Sequence, residues 1–74
     1  MGLKERLDQQ SIDALPQVSA AIESGGTYER NKMREYFLCR MTMEKKPVRD
    51  MNEAERLEIE NKMIAIFRLN NWME

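Results

Sequence analysis

A chain of 74 residues, with 12 Lys plus Arg against 13 Asp plus Glu and a formal charge of −1, has room for one domain. It holds no histidine and a single cysteine, Cys39, which excludes Cys/His zinc sites, cysteine-pair redox chemistry, an intrachain disulfide and histidine-based triads. A core in a chain this short supplies only about 3–5 kcal/mol, so a partner or a second copy is the source of extra stability left to it.

Leu3 and Leu7 stand one helical turn apart among Lys4, Glu5, Arg6 and Asp8, which predicts a short amphipathic lead-in helix over about 3–10. Position 6 is Arg, where an N-myristoylation start calls for Ser or Thr, so no lipid anchor is expected. Asp13 is placed to cap a second helix over 13–24. Pro16 then falls in its first turn, where a missing amide is harmless, and Ile12, Leu15, Val18 and Ile22 recur at helical spacing. Gly25-Gly26 ends that helix, the first glycine being suited to a left-handed closing residue.

Thr27 is the expected cap of a helix over 28–44, in which Met33, Phe37 and Met41 repeat every four residues and Tyr36 and Met43 widen the face. By periodicity alone the run from Tyr36 to Met43 also fits a strand. The charged flank Glu29, Arg30, Lys32, Arg34 and Glu35 favours helix, and no second strand-like segment exists to pair with it. Lys45-Lys46-Pro47-Val48-Arg49 is a break, because Pro47 cannot continue a helix and disfavours helical backbone at Lys46. The last helix, over 52–69, can start with Asp50 and Glu53 or with Asn52 and Glu55 in the reciprocal capping spacing. Along it Ala54, Leu57, Ile64 and Phe67 fall near one face. Glu58 and Lys62 form an exposed pair and Arg56 and Glu60 the weaker reversed one.

These elements make an all-α domain spanning 1–74, a small bundle of three main helices with a short N-terminal lead-in helix. Helix-forming residues dominate, with only three Gly and two Pro. No apolar stretch approaches the roughly 18 residues that would cross a membrane, so the expected location is the cytoplasm.

The second half of the last helix changes character. Met63-Ile64-Ala65-Ile66-Phe67 is apolar all round, and Leu69, Trp72 and Met73 follow. A helix apolar on every side is buried on every side, and so short a chain has little to surround it with. Met63, Ile66, Phe67, Leu69, Trp72 and Met73 are therefore the candidate protein interface, with Trp72 as its anchor. The alternative is that the other helices enclose the segment and that Asn70-Asn71 lets the indole fold back as a lid.

Catalysis fails on inventory. Gly25-Gly26 lacks the downstream Lys and Ser or Thr of a phosphate loop. Glu53, Glu55, Glu58 and Glu60 are interleaved with Arg56 and Lys62 on what reads as a solvated face, and without His they do not make a di-iron site. Cys39 reads as a small buried hydrophobe, since only Arg40 stands by to lower its pKa. No catalytic residue, metal or cofactor is expected.

Charge is distributed unevenly, at −2 over residues 1–27, +4 over 28–49 and −3 over 50–74. Arg30, Arg34, Lys45, Lys46 and Arg49 are the candidate anion or nucleic-acid contacts, and pairing with the chain's own acidic helices explains the same pattern. Seven methionines suit either core filling or an adaptable binding surface. The expected function is a small non-catalytic regulator or adaptor, acting as an inhibitor among other modes, that binds a protein partner through a Met-rich and aromatic helical face and forms a homodimer. Such small chains are common among phages and mobile elements. The alternative is a nucleic-acid-binding regulator using segment 28–49.

Overall fold

The computed structural model describes residues 10–73. Residues 10–13 are helical and are followed by three long helices: α1, Pro16–Ser24, α2, Thr27–Thr42, and α3, Glu53–Leu69. A 3-10 turn, Val48–Asp50, interrupts the connection between α2 and α3. No strand occurs among the described residues, so the stretch from Tyr36 to Met43 is not extended. Residues 3–9 of the expected lead-in helix lie outside the described residues.

Pro16 sets the start of α1. It has no amide hydrogen and disfavours helix in the residue before it, and Leu15 accordingly sits at φ −117°, ψ 85° as the N-cap. The expected cap, Asp13, belongs instead to the preceding turn, which closes through Ala14 N–H to Gln10 O and Leu15 N–H to Ile12 O. The free amides of α1 are met from another helix. Glu60 of α3 accepts from Gln17 N at 2.7 Å and Val18 N at 3.2 Å through the same oxygen, Oε2. Glu60 is only 4% exposed, which corrects its assignment to a solvated face.

Gly25 ends α1 in extended conformation, φ −84° and ψ 158°, and not in the left-handed region. Space is what calls for glycine here. A Cβ on Gly25 would stand 2.8 Å from Met33 Cε and 3.3 Å from the backbone nitrogen of Arg30. Gly26, not Thr27, is the N-cap of α2, and Thr27 is its first helical residue.

α2 buries Met33 and Phe37 and half-buries Tyr36 and Met41. Cys39 is exposed, and Met43 is 78% exposed, so the expected burial of the thiol and the expected widening of the apolar face by Met43 both fail. Cys39 lies away from the arc that Met33 and Phe37 turn inward, and Met43 stands past the last helical residue, as the C-cap. The connection after α2 contributes to the core through Val48 and Met51, both buried. Arg56 Nε donates to Val48 O at 3.2 Å; with Glu60 committed to α1, the expected Arg56–Glu60 pair does not form.

α3 opens on the Asn52 capping box. Glu55 N–H donates to Asn52 Oδ1 at 2.9 Å, and Asn52 N–H donates to Glu55 Oε1 at 3.0 Å. Of the two starts the sequence allowed, this one forms. Ile59, Met63 and Phe67 meet Leu15, Val18, Ile22, Met33 and Phe37 in a single core. α1 packs against both longer helices.

Candidate protein-binding face

The end of α3 decides what happens to its apolar stretch. Asn71 adopts φ 60°, the one non-glycine residue with positive φ among the described residues. Its N–H donates to Arg68 O at 3.0 Å, and Trp72 N–H donates to Phe67 O at 2.9 Å. This pair of bonds is the Schellman closure, in which asparagine serves where glycine is commoner and an apolar contact joins the two ends of the motif. That contact is Phe67 against Trp72, ring centroids 6.2 Å apart, and Tyr36 of α2 completes a three-ring cluster at 6.0 Å from Phe67 and 6.4 Å from Trp72. The indole folds back over the core.

Met63 and Phe67 are consequently fully buried within the chain itself. They are core residues and offer nothing to a partner, which corrects their place in the expected interface. α1 lies along the Ile64 side of α3, and Tyr36 and Trp72 cover Phe67. Three short elements thus enclose two sides of a helix that seemed to need a second chain. The other four expected residues retain surface. Ile66, Trp72 and Met73 are half-buried, and Leu69 is 78% exposed. Trp72 and Met73 form one wall of a groove whose other wall is the α1–α2 turn, with Ser24, Gly25, Gly26 and Glu29. Met73 also lines a second groove between α1 and α3, with Ala21, Asn61, Ile64, Ala65 and Arg68 among its other residues.

The basic candidates do not form one patch. Arg30 turns its guanidinium toward the carbonyls of Glu23 and Gly25, at 3.5 and 3.4 Å, and so serves the C-terminus of α1. Lys46 pairs with Glu55 at 2.9 Å. That ammonium, helped by the Asn52 N–H, holds the Glu55 carboxyl below its ordinary pKa. Arg34, Lys45 and Arg49 are exposed, but Arg34 lies eight residues before α2 ends, about 12 Å along its axis, and is thereby set apart from the other two. Neighbouring Lys32 and Arg40 pair within α2's own length and end, with Glu35 at 3.9 Å and Glu44 at 3.3 Å. Among the described residues no group of three or more His, Cys, Asp or Glu side chains is placed to hold a metal ion. No described helix is long and apolar enough to cross a membrane.

No protein-family model, curated protein or solved structure matches the chain. Residue chemistry at the grooves is therefore what the functional reading rests on. Sequence reasoning missed the groove's second wall. Its only signal was the pair of adjacent glycines, read as a helix terminator rather than as a close approach.

Proposed function

We propose that the protein is a non-catalytic regulator or adaptor that works in the cytoplasm as a homodimer. On this reading it holds a protein partner, with inhibition of that partner as its mode of action, through Leu69, Trp72 and Met73 at the end of α3. One observation carries the reading: Trp72 is locked by the Schellman closure and two neighbouring rings, yet stays partly open beside a groove. A rigid aromatic side chain with its conformational freedom already lost is the kind of anchor that dominates protein interfaces. Leu69 supplies adjoining apolar surface that nothing in the fold uses.

Site-specific photo-crosslinking tests this. A crosslinking residue at position 69 of the full chain, in nuclease-treated extract at about 0.5 M salt, where exposed charges are strongly screened, should capture a discrete protein. The same residue at position 49 should not. Capture from position 49 alone, abolished by nuclease, would instead assign the chain to nucleic acid.

A further inference from the structure

We infer that the exposed face of α3 bordering the α1 groove is the homodimer seam, on which a second copy packs its own α3 antiparallel about a two-fold axis at Asn61. Ala54, Leu57, Asn61, Ala65 and Arg68 are all exposed, and successive members are three or four residues apart, so they form one row along the helix. The row is symmetric about Asn61: Leu57 and Ala65 lie four residues to either side, and Ala54 and Arg68 seven. In an antiparallel two-fold pairing Leu57 therefore meets the small Ala65 of the other copy, a large residue against a small one, twice. Leu57, 46% exposed, is the one large apolar side chain of the row.

Charge complementarity argues for a second copy as the occupant and sets the direction. On the surface of α3 the first half carries Glu53, Glu55 and Glu58 with Arg56, whose Nε donates to Val48 O, and the second half carries Lys62 and Arg68. Glu55 is paired with Lys46, and Glu58 with Lys62 at 3.2 Å. Glu53 and Arg68, opposite in sign and at opposite ends of the row, have no ion-pair partner among the described residues. An antiparallel second copy sets each Arg68 against the other's Ala54, where its long side chain reaches the neighbouring Glu53, whereas a parallel one would set like charges together. Asn61 makes no side-chain hydrogen bond within the described residues, and its amide, donor and acceptor at once, can pair with itself across the axis. The α1 flank of the seam, with Gln17 and Ala20 exposed, adds no opposing charge. A single helix face is a small contact, so the dimer is of the weak, micromolar kind.

The inference rests on the reading of the chain as a self-associating protein binder; its test is made separable by reading partner capture at Leu69 and Trp72, which lie off the row, and not at Met73, which lines the same groove as Asn61, Ala65 and Arg68. Sedimentation equilibrium of the full chain should show a reversible dimer. Arg68→Glu and Glu53→Lys should each raise the dissociation constant roughly tenfold, since each homodimer then holds two like-charge contacts. An equimolar mixture should regain dimer as the mixed species, in which both contacts are attractive. Leu57→Glu should also give monomer, with helical circular dichroism confirming its fold. Capture through position 69 should survive every seam variant. A wild-type monomer at high concentration, or single variants that dimerise normally, would overturn the seam. A mixture that fails to recover would overturn the antiparallel register.

Discussion

At the scale of single residues, the side chain with the widest structural consequence is a carboxylate. Glu60 satisfies two amides at the start of α1 and ties that helix to α3. Charge-assisted bonds of this kind are worth more than neutral ones, and removing the acceptor leaves buried donors unmet. Glu60→Ala, which removes the acceptor altogether, should therefore lower the urea midpoint by an amount equivalent to about 1–3 kcal/mol, with the m-value unchanged. Asn71 offers the opposite change. It holds φ 60°, which glycine adopts without strain, so Asn71→Gly should cost nothing or stabilise slightly. Asn71→Val should destabilise by about 1–2 kcal/mol in thermal melts, because a β-branched side chain opposes that backbone. Glu55 makes a prediction about pH. Its pKa is lowered in the folded chain, so its contribution is present above the unfolded carboxylate pKa, about 4.3, and is lost as pH falls through the lowered value. Glu55→Gln should flatten the acid limb of the stability curve in that window and leave its shape at neutral pH unaltered.

At the scale of elements, part of the local chemistry was readable, although the cap of α2 falls on Gly26 and not Thr27, and long-range chemistry was not. The Asn52 capping box, the Glu58–Lys62 pair and the breaks at Gly25-Gly26 and Pro47 depend on residues within a few positions of one another, and each was visible as a spacing. The extents of α2 and α3 follow from those punctuation marks. The start of α1 was misplaced because its cap comes from a residue more than 40 positions away, and no local pattern encodes that. Arg56 was misjudged for the same reason: the Val48 carbonyl competes for it through a turn whose shape Pro47 sets only in three dimensions. The Gly25 error has a different cause. Glycine permits both a left-handed turn and a close approach, and only the position of Met33 tells which one applies.

At the scale of the whole molecule, the expected interface divides into two parts. The apolar stretch of α3 reads as buried on every side, but only Met63 and Phe67 are buried, while Ile64 and Ile66 are half-buried and Ala65 is exposed, since burial depends on α1 crossing one side and on Asn71 returning Trp72 to the other. Met63 and Phe67 thereby become core, whereas Leu69, Trp72 and Met73 keep surface next to a groove the fold already provides. The basic segment divides as well, with Arg30 and Lys46 engaged inside the molecule and Arg34 set apart from Lys45 and Arg49. The proposed reading gives two surfaces separate tasks, the exposed row of α3 for a second copy and the end of α3 for another protein. The central claim is that this second surface recognises a protein by apolar contact. Its most direct test is calorimetric titration of the captured partner with wild type and Leu69→Glu, at low and at about 0.5 M salt. Wild-type affinity should change little with salt, and Leu69→Glu should weaken it about tenfold or more. An affinity indifferent to Leu69→Glu that falls steeply with salt would contradict the account.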